Sequence, residues 1–67
     1  NAIKNFNQAI AKDQKYDAAY YGRANVWVKK EDLHRALIDA KQAAKLSPST
    51  KRYEDLLYEI SSAMKSK

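Results

Sequence analysis

Apolar residues recur at intervals of three and four positions through most of this 67-residue chain. That spacing puts them on one side of an α-helix and is typical of amphipathic helices. Four helical segments are predicted, over residues 2–13, 17–30, 33–46 and from about residue 50 onward, and no β-strand is expected. The connections between them are short, so consecutive helices should pack antiparallel. The pattern therefore predicts an all-α fold in one small domain.

Residues that favour helix ends mark the same boundaries. Asp17 and Asp32 stand where an N-cap side chain would accept a backbone N–H bond, and Ser49 or Thr50 stands before the last segment. Pro48 cannot continue the third helix and so ends it. The last helix should bury one apolar face, formed by Tyr53, Leu56, Leu57, Ile60 and Met64.

Residues 17–50 combine two ordered patterns. A large, a small and an aromatic residue follow at spacings of four and three in Tyr20, Ala24 and Trp27. After a polar turn come an apolar residue, two small ones and a closing Leu-x-Pro, at Leu33, Ala36, Ala43, Leu46 and Pro48. Together these positions resemble one full tetratricopeptide (TPR) repeat.

The preceding segment repeats the second half of that unit one family period of about 34 residues earlier. The pairs are Ala2 and Ala36, Ile3 and Leu37, Gln8 and Gln42, Ala9 and Ala43, and Ile10 and Ala44. Three positions depart from the family pattern: Gln14 replaces a closing Pro, Ala40 a common aromatic, and Glu31 a turn Gly. Glu31 should cost about 1 kcal/mol if the turn needs a positive φ.

The resemblance implies a TPR-type solenoid fragment of antiparallel helix hairpins. Its parts are the second helix of a truncated repeat (1–16), a complete repeat (17–50) and a C-terminal capping helix (51–67). Because the chain opens with Asn1 inside a repeat, we expect it to be a piece of a longer protein.

Function follows from the same resemblance. The family binds partners in a groove lined by the first helices of its repeats, so a non-catalytic module that binds a peptide or partner helix is expected. The matching positions here are Ala18, Tyr21, Asn25, Val28 and Lys29, which an ordinary helix surface would explain equally well. Lys51 or Arg52, and Glu54 or Asp55, would extend this wall. Gly22 replaces the Asn of the family's carboxylate clamp, which argues against a chaperone-tail adaptor.

A second hypothesis concerns the first helix, which lacks the partner helix that the family pattern places before it. Its residues Ile3, Phe6 and Ile10 would then form an apolar flank without cover. A homodimer through this flank, or a role as an oligomerisation or intramolecular scaffold segment of a longer TPR protein, is the alternative function.

Candidate chemistry is sparse. The chain has no cysteine and one histidine, His34, so we predict an exposed His34 and no metal site. The sole glycine, Gly22, lies inside a predicted helix, where it indicates either a close helix approach, which we favour, or a tolerated weak position. No enzyme activity, cofactor or small-molecule substrate is expected.

The net charge of +5 raises the question of nucleic acid. Many of the lysines fall at helix C-termini, where the helix dipole favours cations. The remaining bases are mixed with acids in sequence, so no single-sign stripe is expected and nucleic acid is an unlikely partner. An RNA- or membrane-surface-binding adaptor is the least favoured alternative. No apolar run approaches the length of a membrane span; no compartment is identified, and a cytoplasmic location is the default expectation.

Overall fold

The computed structural model describes residues 2–66, and this part of the chain contains four α-helices and no β-strand. They are α1 (Ala2–Lys12), α2 (Asp17–Lys29), α3 (Leu33–Leu46) and α4 (Lys51–Lys65). The all-α prediction is confirmed, and the first two helices each end one residue earlier than predicted. The outermost positions of the predicted domain, 1 and 67, lie outside the described residues.

The helices pack chiefly against their neighbours in sequence: α1 on α2, α2 on α3, and α3 on α4. The Cα positions span 36 × 28 × 13 Å. The short dimension fits two layers of helices, since packed helix axes lie about 8–10 Å apart. Side-chain contacts assign the layers, because Arg23 of α2 reaches both α1 and α3 whereas Tyr53 of α4 reaches back to α2. They indicate that α1 and α3 form one layer and α2 and α4 the other.

The core lies where α2, α3 and α4 meet. Ala24, Ala36 and Ala40 are completely buried there, together with Leu56 and Ile60 of α4. Alanines let α2 and α3 approach closely, so Ala40 needs no aromatic ring at this position. Larger side chains surround this cluster while half-buried, Trp27 among them. The core is thus small residues in the centre with large ones around the edge.

The apolar face of α1 packs less completely. Ile3, Phe6 and Ile10 are half-buried, and no residue of α1 is fully buried. The ring of Phe6 lies against Gly22, where a Cβ atom would sit 2.5 Å from Phe6 Cε1. The close-approach interpretation of Gly22 is therefore confirmed. Since α2 covers part of this face, the uncovered apolar flank of α1 is smaller than predicted.

A polar network joins three helices. The Arg23 guanidinium donates to both carboxylate oxygens of Asp39, through Nε and Nη2, each at 2.7 Å. Its Nη1 donates to Asn7 Oδ1 of α1, also at 2.7 Å. Hydrogen bonding to Asp39, which is only 4% exposed, raises the pKa of Arg23 above its ordinary value. This pairing supplies the counter-charge that a buried carboxylate requires.

Two of the predicted caps differ from the structure. Asp32 does cap α3, its Oδ1 accepting from the backbone N–H of Arg35 at 3.3 Å. The prediction for Asp17 is wrong, because Asp17 is the first residue of α2 and its carboxylate accepts the Tyr53 hydroxyl at 2.7 Å. Thr50 occupies the N-cap position of α4, but its hydroxyl pairs with that of Ser47 at 2.6 Å. A distant side chain therefore occupies the carboxylate of Asp17, and a neighbouring one occupies the hydroxyl of Thr50.

The turn between α2 and α3 has the strained backbone that its sequence suggested. Glu31 has a φ of 62°, the one positive φ at a non-glycine position among residues 2–66. A residue with a Cβ atom pays for this left-handed conformation, which glycine adopts freely. The predicted cost of Glu31 in a position that suits glycine thus has a structural basis.

Candidate partner-binding groove

Helices α2 and α4 lie side by side and point the same way, because each packs antiparallel to α3. Tyr53 joins them near their N-termini: its hydroxyl donates to Asp17, and its ring centroid lies 5.1 Å from that of Tyr21. Burial of Tyr53 and its hydrogen bond to Asp17 raise its pKa to about 12. The hydroxyl is consequently a neutral donor at ordinary pH, and the contact fixes one end of the helix pair.

Beyond this contact the two helices leave an open groove, which we call the α2–α4 groove. Its first concavity has a volume of about 370 Å³ and is lined by Tyr21, Asn25, Arg52, Asp55, Leu56 and Glu59. One helical turn further, a concavity of about 200 Å³ is lined by Val28, Glu31, Leu33 and Ala63. A third, of about 360 Å³, lies at the far end between residues 30–34 and Met64. The first concavity lies between α2 and α4, whereas the second and third also involve the α2–α3 turn and the start of α3.

The structure gathers part of the predicted site. Tyr21, Asn25 and Val28 line the groove, as their spacing of four and three residues on one helix face requires. Ala18 lines a different concavity, beside α1, with Phe6 and Tyr16 among its neighbours. Lys29 is exposed at the end of α2 and lines none of the three groove concavities.

On α4 the structure decides the register that the sequence left open. Arg52 and Asp55 line the groove, and Lys51 and Glu54 do not. Leu56, Glu59 and Ala63 complete this wall and were not among the predicted site residues. Counting helical turns onward from Arg52 would have found them once the register was known, since residues three or four apart share a face.

The first concavity of the groove has a mixed polar and apolar lining with polar rims. Leu56, only 4% exposed, contributes to the floor, while the carboxylates of Asp55 and Glu59 are exposed on the rim. Within residues 2–66, neither carboxylate forms an ion pair. The Asn25 side-chain nitrogen donates to the Tyr21 carbonyl oxygen at 3.1 Å, which fixes the amide in place. Its second N–H and its Oδ1 stay available, so Asn25 can offer both a donor and an acceptor to a bound segment.

The described residues show no grouping of side chains around His34 that suggests a metal site. His34 is exposed at the start of α3, as predicted. In the described part of the chain, no three or more His, Cys, Asp or Glu side chains are grouped in a way that could hold a metal ion. None of the described helices has the length and apolar character needed to cross a membrane.

Comparison of the chain with protein-family models, with curated proteins and with solved structures gives no significant match. The resemblance to TPR repeats therefore rests on the sequence positions alone, beside an all-helical structure that is compatible with it.

Proposed function

We propose that this chain is a non-catalytic protein-interaction module of TPR type that binds a peptide or a partner helix in the α2–α4 groove. The observation that carries the proposal is the groove itself: two parallel helices, fixed at one end by Tyr53, enclose a concavity of mixed polar and apolar lining between polar rims. Binding sites for extended or helical segments commonly combine these features.

The rigidity of the walls supports the proposal. Every lining residue of the first concavity belongs to a helix, and the Asn25 amide is already held by the Tyr21 carbonyl. A site whose side chains are ordered before binding loses less entropy when a partner arrives. The groove therefore suits a short segment whose affinity depends on a pre-formed surface.

Specific contacts follow from the lining. Asn25 can pair with the N–H and C=O of a partner backbone, whereas Tyr21 supplies flat apolar area with a polar tip. Leu56, which is 4% exposed, closes the base of the concavity and belongs to the core. The two unpaired rim carboxylates, Asp55 and Glu59, favour a partner with a basic residue near its centre.

The test is a selection from a displayed random-peptide library, followed by binding measurements and NMR mapping with the selected peptides. We expect amide shifts to concentrate at Tyr21, Asn25 and Glu59. Asn25→Ala and Glu59→Ala should each weaken binding about fivefold to thirtyfold, the range for losing one hydrogen bond to a neutral or charged group. Ser61→Ala, an exposed residue of α4 outside the groove, is the matched control.

A selection that yields no binding peptides would contradict the proposal. So would peptides that shift amides outside the groove and bind both variants as tightly as the unmodified chain. The alternative of a homodimer through Ile3, Phe6 and Ile10 has less support, because α2 already half-buries these side chains.

A further inference from the structure

Charge is segregated among the helices in a way that the sequence order conceals. Helix α3 contains one acidic residue, Asp39, and that carboxylate is buried and bonded to Arg23. The outward stripe of α3 consists of His34, Ile38, Lys41 and Lys45, all of them exposed. The bases of α3 are less mixed with acids than their sequence order suggests, since the one acid of this helix points into the fold.

An exposed apolar side chain sits in the middle of this basic face. Ile38 is 67% exposed. Its neighbours one helical turn away, three or four residues along the chain, are His34, Arg35, Lys41 and Gln42. The basic face of α3 thus surrounds one uncovered Ile with cationic and neutral polar groups.

Helix α4 carries the opposite arrangement. Tyr58 is 77% exposed, the most exposed large apolar side chain among residues 2–66. Its neighbours one turn away are Glu54 and Asp55 on one side and Ser61 and Ser62 on the other, so no base lies within a turn. Lys51 and Lys65 lie two turns from Tyr58 on the same face, so the acidic face of α4 is confined to the turn that contains Glu54 and Asp55.

We propose that the basic face of α3 docks on the acidic face of α4 of a second copy of this chain. Ile38 packs on Tyr58, and Lys41 lies over Glu54 and Asp55. The two faces match in charge and in the position of their apolar centre, which satisfies the requirement that an interface be complementary in both respects.

The contacts that Arg35 already makes within its own chain help to determine how the two docked helices are oriented. Its guanidinium lies 3.4 Å from Asp32 and 5.0 Å from the ring centroid of Trp27. Lys41 and Lys45 are the other exposed cations on this face, and Lys41, one turn from Ile38, lies nearer to the acids beside Tyr58. Lys41 follows Ile38 along α3, while Glu54 and Asp55 precede Tyr58 along α4, so the two helices cross in an antiparallel sense.

The contact is heterologous, because each copy uses one face and leaves the other free. Such contacts produce open, concentration-dependent chains of copies unless a ring closes. One helix face per copy is smaller than the roughly 800 Å² per partner of a standard stable interface, so the association is weak. It borders the α2–α4 groove, because Asp55 belongs to both surfaces, whereas Lys41, Glu54 and Tyr58 line none of the groove concavities.

Charge reversal tests the contact. Sedimentation equilibrium from about 10 micromolar to about 1 millimolar covers the weak range expected for a small interface. We expect the unmodified chain to associate, and Lys41→Glu and Glu54→Lys each to weaken association at least about tenfold through like-charge repulsion. An equimolar mixture of the two variants should associate again, because the reversed α3 of one meets the reversed α4 of the other. Lys15→Glu, an exposed turn position, is the matched charge control.

A second variant tests the apolar centre. Tyr58→Ser should weaken association about tenfold while leaving helicity unchanged, since it removes apolar area without touching charge. A chain that stays monomeric throughout, or a mixture no better associated than either variant alone, would overturn the proposal. Binding of a uridine oligonucleotide or of phosphatidylserine vesicles by a monomeric chain would instead assign the basic face to an anionic partner.

Discussion

Helices α1 and α4 occupy the two ends of the stack and share a design, an apolar face opposite a polar one, yet their burial differs sharply. Helix α4 buries Tyr53, Leu56 and Ile60 to 5% exposure or less. Helix α1 buries no residue to that degree. The difference arises because α4 contacts both helices of the central hairpin through its apolar face, whereas α1 places its apolar face on α2 alone.

The comparison separates what a hydrophobic pattern can and cannot predict. Periodicity determines which face of a helix is apolar, but the number of helices that meet this face determines how deeply it is buried. Helix α2 shows the other extreme: α1, α3 and α4 all contact it, and its apolar residues accordingly extend around most of its circumference. A helix contacted on several sides shows weak amphipathicity.

The largest expected effect comes from the link that ties both layers together. Arg23→Leu should cost about 3–5 kcal/mol of unfolding free energy, because it leaves the carboxylate of Asp39 buried without its partner. Urea denaturation followed by circular dichroism measures it. Asn7→Ala, which removes the α1 end of the same network, should cost about 1 kcal/mol. Equal costs for the two variants would show that Asp39 is not desolvated as the structure indicates.

A matched pair of substitutions tests the difference between the two ends directly. Ile60→Ala in α4 should cost about 2–5 kcal/mol, as expected for a fully buried side chain. Ile10→Ala in α1 should cost about 1 kcal/mol, because only part of the side chain leaves water. Thermal and urea unfolding provide both values. If the Ile10 variant loses as much as the Ile60 variant, the end at α1 is as well packed as the other and the comparison fails.

Gly22→Ala probes the attachment of α1 alone. The added Cβ atom would meet the Phe6 ring, so the ring or α1 must shift at a cost of about 1–3 kcal/mol, offset by about 1 kcal/mol of improved helix propensity. We expect amide exchange in α1 to accelerate while α3 and α4 stay protected. Adding Phe6→Leu to the Gly22→Ala chain should restore the amide protection of α1, because the smaller side chain leaves room for the new Cβ atom. A uniform loss of amide protection in all four helices would contradict a local effect on α1.

The smallest effect concerns the tie between α4 and α2, and it appears only at high pH. Folding raises the pKa of Tyr53 from 10.0 to about 12, so the neutral phenol is the form that folding favours. Its contribution to stability should be complete below pH 10 and lost as the pH rises through 12. The measurement is the stability difference between the unmodified chain and Tyr53→Phe across this range, with Tyr16→Phe as control. A difference that does not change with pH would exclude the linkage.

Much of the fold was predictable because its signals are local. Helix spacing, Asp32 as a cap, Pro48 as a stop and the left-handed turn at Glu31 each depend on a few neighbouring residues. The roles of Asp17 and Asp39 were not predictable in this way. Each carboxylate is defined by a partner distant in sequence, Tyr53 in one case and Arg23 in the other.

The candidate groove was predictable on one wall only. Tyr21, Asn25 and Val28 follow from their spacing on α2, whereas Glu59 and Ala63 depend on how α4 is rotated about its axis. The buried face of α4, with Tyr53 and Ile60, was predicted from the sequence, but which edge of that face borders α2 is visible only in the three-dimensional packing. The basic character of the α3 face was not predictable for a related reason, since sequence order does not show that Asp39 points inward.

The packing of each helix chiefly against its sequence neighbours has a kinetic consequence. Contacts between neighbouring segments close short loops, and chains built from them fold fast. They also permit opening in steps from an end, with a different free energy for each segment. We therefore expect α1 to detach and return many times while α2, α3 and α4 stay folded. Each detachment would expose the surface of Gly22 that the Phe6 ring covers, whereas the α2–α4 groove would persist.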